Sequence, residues 1–587
     1  MFLSSKAEVW RVFLERVRRE DRGLLPAGVL ADRQRPVIDV PPWRTDPISL
    51  RTPLALLVIS LSAIAAVWWW LATPIILARA PIDPAAKLEC VSYAPFRGAQ
   101  NPLEPGLVIA AEQMAEDFAQ LAKVTGCIRT YSVGNGLDRV PELAEKAGLK
   151  VMLGVWIGTN RTDNKTQMET GIALAKKYPG TVTAFIVGNE VLLRGEMTAA
   201  DLVANIRYVK SKVGPMQVTY ADVWEFWLKN RDVYDAVDFV TIHILPYWED
   251  FPIRARYAAN HVDSIRKRMA VAFPNKEILI GETGWPSAGR MREGALPSRA
   301  NQARVVSEIL QMAREQKFRV NLIEAYDQPW KRMWEGTVGG HWGLFDANGD
   351  RALKYPAGEP ITNFPRAKIY AAAGMIFSAL VFGVALLTLR RRPWSPRLSS
   401  WLTVAICATA GGALLGVAYD KMVVESLGIG GWTVGILLFG AAILSPLVVA
   451  NTVMYGRGLP TFLELLGPSG YRTGSRMQTI LGIVLLVTTA LATQTALGFV
   501  FDPRYRDFQF AALTMAIVPF LLLTALNRPT TGARPITESV FAVTLALSAI
   551  YVGFNEGPAN WQSLWTCGLY LLLALTLSRA RVVRTPG

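Results

Sequence analysis

Two stretches, Ile186-Val187-Gly188-Asn189-Glu190 and Ile278-Leu279-Ile280-Gly281-Glu282-Thr283-Gly284-Trp285-Pro286, decide how this sequence is read. Each is an apolar run of strand length that ends on a carboxylate with glycine beside it. A glutamate at the end of a buried strand is costly to strip of water, so the position needs a chemical reason. In a barrel of parallel strands, the carboxyl ends of the strands form the active-site face. Two glutamates converging on that face are the minimum equipment for cleaving or transferring a glycosidic bond, one as acid/base and one as nucleophile. A single glutamate after a strand is ordinarily a solvated loop residue. Two in matched settings, one preceded by Asn189 and the other followed by Gly284-Trp285-Pro286, point to chemistry.

The surrounding sequence alternates in the same way. Apolar runs at Cys90–Tyr93, Ile128–Ser132, Val151–Ile157, Ala184–Asn189, Gln217–Ala221, Phe239–Leu245, Ile278–Glu282 and Asn321–Ala325 are separated by helix-like stretches. Examples of the latter are Ala110–Val124, Gln167–Lys177, Ala199–Lys212 and Arg299–Gln316. This pattern predicts a parallel sheet with crossover helices, and eight repeats predict a (β/α)₈ TIM barrel, an α/β fold.

A chain of 587 residues with mean hydropathy +0.24 is too long for one domain and too apolar for a wholly soluble one. Leu54–Leu77 is an uninterrupted apolar stretch of membrane-spanning length, and seven more candidates follow: 368–389, 401–419, 431–454, 479–501, 509–526, 538–554 and 561–578. The expected organisation is a cytoplasmic segment 1–53, an anchor 54–78, the barrel domain 79–367, an α-helical membrane domain of about seven spans at 368–580 and a cytoplasmic tail 581–587. Lys and Arg collect in cytoplasmic loops. Lys6, Arg11, Arg16, Arg18, Arg19, Arg22, Arg33, Arg35, Arg44 and Arg51 precede the first span, and Arg390-Arg391-Arg392 follows the second. Arg457, Arg472 and Arg476, then Arg528 and Arg534, then Arg579, Arg581 and Arg584 follow the fourth, sixth and eighth. The alternate loops, Asp420–Gly430, Asp502–Asp507 and Asn555–Asn560, lack such an excess. Both termini are therefore expected inside and the barrel outside the cytoplasm.

The net charge of +15 thus reads as a topology signal, and a nucleic-acid partner, which would want a basic folded face, is not expected. Ala78-Arg79-Ala80 resembles a signal-peptide cleavage site, but the long polar region before the span and Pro81 after it favour a retained anchor. Asp420, Lys421 and Glu538 lie at span edges and Glu464 in a predicted loop, so the spans lack the mid-membrane ionisable groups of pumps. Gly411-Gly412 and Gly440-Ala441-Ala442 read as helix-packing surfaces. Cys407 and Cys567 fall in spans. Cys90 and Cys127 stand beside predicted strands at one barrel end, where a disulfide is allowed but two partly buried thiols are the expectation.

Polar and aromatic residues gather at the strand ends: Tyr93, Arg129, Tyr131, Trp156, Asn189, Tyr220, His243, Tyr247, Trp248, Trp285, Tyr326, Asp327, Trp330 and Lys331. Together they suggest a sugar-binding cleft, because sugars lay C–H faces on rings and need donors and acceptors for their hydroxyls. The three histidines, His243, His261 and His341, form no metal motif, and neither a nucleophile elbow nor a phosphate-binding glycine loop is present; no metal or cofactor is expected.

The motifs resemble glycoside hydrolase family 17, the β-1,3-glucanase-like family. The resemblance lies in Tyr93-Ala94-Pro95-Phe96-Arg97-Gly98, Ile128-Arg129-Thr130-Tyr131, Val187-Gly188-Asn189-Glu190-Val191 and Gly281–Gly289. It continues in Asn301-Gln302-Ala303, Asp327–Lys331, His341–Phe345 and Lys354-Tyr355. It implies that Glu190 is the acid/base, Glu282 the nucleophile and Asn189 a ligand of the sugar 2-hydroxyl. Tyr93, Arg129, Tyr131, Tyr220, His243, Tyr247, Trp285, Asp327, Trp330 and Lys331 complete the expected substrate-binding set. Asp327-Gln328 stands where the family often has two acidic residues, and His243 where many members carry Asn. The multi-span tail resembles that of bacterial inner-membrane proteins linked with β-1,3/β-1,6-glucan assembly, including cyclic glucan synthesis. The implied partners are a β-glucan, the lipid bilayer and a glucan synthase or export protein.

In the mechanism so implied, Glu282 attacks the anomeric carbon while Glu190, kept protonated by its surroundings, protonates the departing oxygen. Water then gives hydrolysis and a second glucan hydroxyl gives transglycosylation. A membrane-tethered enzyme outside the cytoplasm favours remodelling, with β-1,6 branching as one outcome. The alternatives are an endo-β-1,3-glucanase and a glucan-binding or export module without catalysis.

Overall fold

The computed structural model describes residues 50–77, 87–347, 353–355, 360–390, 396–467, 475–527 and 532–582. The basic residues from Lys6 to Arg44, the Ala78-Arg79-Ala80-Pro81 stretch, Arg391, Arg392, Arg472, Arg528 and Arg584 lie outside the described residues.

The eight apolar runs are strands: β1 (Cys90–Ser92), β2 (Cys127–Arg129), β3 (Lys150–Val155), β4 (Val182–Asn189), β5 (Gln217–Val223), β6 (Val240–His243), β7 (Ile278–Thr283) and β8 (Val320–Leu322). They pair in sequence order, all parallel, and β8 closes on β1 through Cys90↔Asn321. Strand alternation sorts the side chains. Val151, Leu153, Val155, Phe185 and Val187 join the large cluster shared with the crossover helices, while Met152, Ala184, Ile186, Ala221 and Leu279 fill the barrel interior. The helix expected from Gln167 begins earlier, at Arg161, because Asn160 caps it through the Thr162 and Asp163 N–H groups.

β4 and β7 share an irregularity. Between Ile186↔Thr219 and Asn189↔Ala221, β4 has one residue more than β5, and between Ile242↔Ile280 and His243↔Glu282, β7 has one more than β6. Such bulges re-aim the side chains that follow. Each holds the glycine beside a catalytic candidate: Gly188 has φ +85°, and a Cβ on Gly281 would sit 2.4 Å from Thr241 Cγ2. Glu190 itself has φ 52°, uncommon for a residue with a side chain.

Cys90 and Cys127, the first residues of adjacent strands, are joined by a disulfide. Cys407 and Cys567 are free and buried.

Helices lie at all eight expected spans, Arg51–Leu71, Ala367–Leu389, Leu398–Glu425, Gly428–Met454, Arg476–Phe501, Phe510–Leu526, Ile536–Glu556 and Trp561–Ser578, although the first stops at Leu71, short of the expected end at Leu77. Six are long and apolar enough to cross a membrane; Phe510–Leu526 is shorter, and Trp561–Ser578, with Gln562, Ser563 and Thr566 in its first turns, is not among the six. Gly374 and Gly412 bring two helices into backbone contact, since a Cβ on Gly374 would lie 2.0 Å from Gly412 O. Glu464 is not in a loop: it closes a capping box with Thr461 on the short helix Phe462–Leu466. The chain enters and leaves the barrel side by side, Ile75 pairing with Ile361.

The barrel rests on the helical region through its β7 and β8 connections. Asn560 Nδ2 donates to Met291 O at 3.0 Å, Arg332 Nη2 to Val424 O at 2.7 Å, and Thr337 Oγ1 to Asp507 Oδ2 at 2.7 Å.

Candidate active site

At the carboxyl ends of the strands lies a cleft of about 830 Å³. An oxygen of Glu190, an oxygen of Glu282 and a ring nitrogen of His243 lie within 4.8 Å of one another there. Arg129, only 1 % exposed, supports the group from the barrel interior. Its Nη1 donates to Gly281 O at 2.7 Å and Glu282 Oε1 at 3.2 Å, and its Nη2 to Asn189 Oδ1 at 2.6 Å. Asn189, so oriented, lines the cleft.

Glu282 has a second support. Tyr131 Oη is 2.9 Å from Glu282 Oε1 and 2.8 Å from Ser92 Oγ, which accepts from Asn321 Nδ2 at 2.8 Å. A carboxylate can only accept, so the tyrosine proton points to Glu282 and the serine hydroxyl donates to the tyrosine. Burial, followed by the neighbouring Glu282 charge, pushes the Tyr131 phenol well above its ordinary range, so it stays a donor.

Glu190 differs from expectation. Burial favours its neutral form, but the hydrogen bond and charge of His243, with Arg194 and Arg129, outweigh burial and hold its carboxyl below its ordinary value. The free cleft thus keeps Glu190 ionised rather than protonated near neutrality. Glu324, beyond β8, behaves oppositely. Burial pushes it up to about 7 against the pull of Lys331, whose Nζ is 2.9 Å from both its oxygens. Asp222, on β5, is pushed up to about 6, mainly by burial.

Glu190, His243 and Glu282 are close enough to ligate a cation, but Arg129 Nη1, 3.3 Å from His243 Nε2, puts a fixed positive charge against that space. Eight carboxylates line the cleft against three Lys and Arg side chains, which disfavours an anionic ligand. Rings are plentiful, among them Trp156, Phe226, Trp248 and Trp330.

Of the expected binding residues, Tyr93, Tyr131, Asn189, His243, Trp330 and Lys331 line the cleft. Arg129 lies beneath it. Tyr220, Tyr247, Trp285 and Asp327 do not line it. Tyr220 alternates with the inward Ala221, so its ring meets Trp227 and its hydroxyl meets Asp222. Tyr247 Oη donates to Arg290 O at 2.8 Å and Trp285 Nε1 to Leu296 O at 3.1 Å; both brace the β7 connection. Asp327 accepts from Lys354 Nζ at 2.7 Å and Gly343 N at 2.8 Å, a buried ion pair. Glu324, Ser92, Asn321, Arg504 and Tyr505 were not anticipated. Ser92 and Asn321 share the inward register of Arg129, a signal the strand pattern carries.

Residues 90–343 match the BtgE/BtgC glycoside hydrolase domain. A glucan 1,3-beta-glucosidase of Saccharomyces cerevisiae is 29% identical over 264 residues, covering 41% of this chain and 82% of that protein. One of Candida albicans is 27% identical over 250 residues, covering 39% and 80%. The crystal structure of a glycoside hydrolase family 17 beta-1,3-glucanosyltransferase from Rhizomucor miehei has 26% identity and a TM-score of 0.40, covering 46% of this chain and 95% of that one. The barrel of this chain therefore resembles the BtgE/BtgC glycoside hydrolase domain, and the chain is an enzyme of the glycoside hydrolase type.

Proposed function

We propose that the chain is a membrane-anchored retaining β-glucan transglycosylase that acts on β-1,3-glucan outside the cytoplasm. The observation that carries the mechanism is the spacing of Glu190 and Glu282, whose nearest described oxygens fall within 4.8 Å. Retaining pairs stand about 5–5.5 Å apart, whereas inverting pairs leave about 6.5–9.5 Å for a water. Glu282, fixed by Arg129 and Tyr131, attacks the anomeric carbon; Glu190 protonates the leaving oxygen, and Asn189 meets the 2-hydroxyl. Glu190 must first take up a proton. Substrate supports this by displacing water from the cleft, which disfavours the charged form.

The glucan substrate is supported by the names of the curated relatives and by the ring-rich, acidic cleft, which suits a neutral sugar chain. The six apolar helices support a membrane location, and the Cys90–Cys127 disulfide supports an oxidising compartment. No nucleotide sugar is available there, so bond energy comes from an existing glycosidic linkage conserved in glucosyl-Glu282. Linkage choice, β-1,3 or β-1,6, then belongs to the acceptor. The test is product analysis of the detergent-solubilised full chain with β-1,3-gluco-oligosaccharides. Lengthened or branched products are expected; shortening alone would make it a glucanase, and binding without turnover a glucan-binding module.

A further inference from the structure

The cleft is not walled by the barrel alone. Arg504 and Tyr505, from the Asp502–Asp507 loop between the helices Arg476–Phe501 and Phe510–Leu526, line the same cleft as Glu190 and Glu282. The loop is held in place. Arg290, 6 % exposed, donates to Pro503 O, to Arg506 O at 3.0 Å and to Glu556, with its guanidinium over the Phe508 ring at 5.0 Å. Thr337 Oγ1 binds Asp507 on the other side. Gly336, at φ +70°, admits the loop, for a Cβ there would lie 2.6 Å from Tyr505 O. Tyr505 meets Trp248, itself a cleft residue, edge to face at 6.3 Å between ring centroids.

We propose that Arg504 and Tyr505 form a saccharide subsite, contributed by the helical region, that binds a unit of a neutral glycan away from the bond being broken. An aromatic face covers the C–H side of a sugar, and a guanidinium offers several donors to its hydroxyls without needing an anionic partner. Tyr505 and Trp248 present such a surface beside the exposed Arg504. Pre-ordering of the loop by Arg290 and Thr337 lowers the entropic cost of binding. The helical region thereby selects for chain length, which a membrane anchor alone would not do. This inference rests on the glucan-active reading above.

The test uses the full chain in detergent micelles carrying Glu282→Gln, titrated calorimetrically with β-1,3-gluco-oligosaccharides of three and of eight units. Added Tyr505→Ala or Arg504→Ala should weaken binding of the eight-unit chain about tenfold and leave the three-unit chain within twofold. Tyr505→Phe, which keeps the ring, should restore most of the long-chain affinity. Equal affinities for both lengths in the variants and their parent would overturn the subsite while leaving the glucan reading intact. No binding by the parent and no turnover by wild type would overturn that reading and the subsite with it.

Discussion

His243 Nδ1 stands 2.8 Å from Glu190 Oε1, while Nε2 of the same ring faces Arg129 Nη1 at 3.3 Å. Nδ1 is thereby the ring nitrogen placed to donate to Glu190. The ring thus links Glu190 to the arginine that steadies Glu282.

Removing this ring tests the acid/base assignment. A general acid works while protonated, so kcat/KM falls as pH rises through the Glu190 pKa of the free enzyme. Burial raises that pKa and His243 lowers it, with the lowering dominant. The alkaline limb of wild type should therefore lie in the acidic range, and His243→Ala should move it upward. A pH profile on a β-1,3-gluco-oligosaccharide decides; a limb that stays or moves down removes Glu190 from the acid role.

The two carboxylates should fail in different ways. Glu282→Gln should cost roughly 10³–10⁶ in kcat, and Glu190→Gln roughly 10²–10⁴, most with poor leaving groups. Azide fits where the side chain is cut back, so rescue is read in Glu190→Ala and Glu282→Ala. In the Glu190 variant it should attack glucosyl-Glu282 and give the β-azide; in the Glu282 variant it should replace the nucleophile and give the α-azide. NMR of the glycosyl azides distinguishes them, and rescue of neither variant would end this division of labour.

Tyr131→Phe isolates one hydrogen bond to Glu282, the proposed nucleophile. A bond to a charged group contributes about 1.5–3 kcal/mol, so kcat should fall roughly 10–100-fold with KM nearly unchanged. Steady-state kinetics checks this. An equal fall for Ser92→Ala would show that the whole Ser92–Tyr131 chain acts as one unit.

The barrel and the strand-end position of Glu190 and Glu282 were legible because buried parallel strands read as continuous apolar runs, and a carboxylate closing such a run stands out. The glycines beside Glu190 and Glu282 were visible too, but their cause, a bulge in each strand, lies in the pairing with β5 and β6. The ring-bearing residues were harder. Facing is set by one-residue register, and Tyr220 beside Ala221 shows how adjacent positions part to opposite sides. Arg504 and Tyr505 were beyond reach, since a loop some 220 residues after Glu282 meets the cleft only through tertiary docking.

Compartment and mechanism make a joint claim that labelling can test. Ser211, exposed at the end of the helix Ala199–Lys212, accepts a cysteine with little change of shape. The background is quiet, for Cys407 and Cys567 are buried and Cys90 and Cys127 are bridged. Ser211→Cys should react with a membrane-impermeant maleimide in intact spheroplasts. The disulfide gives an independent readout: closing its loop should stabilise the barrel by about 3–4 kcal/mol in the chain-entropy description, so Cys90→Ser with Cys127→Ser should lower its unfolding midpoint. Labelling only after lysis, with no stability lost in the double variant, would place Glu190 and Glu282 in the cytoplasm. Nucleotide sugars would then be at hand, and the argument that glucosyl-Glu282 must conserve the energy of an existing linkage would fall.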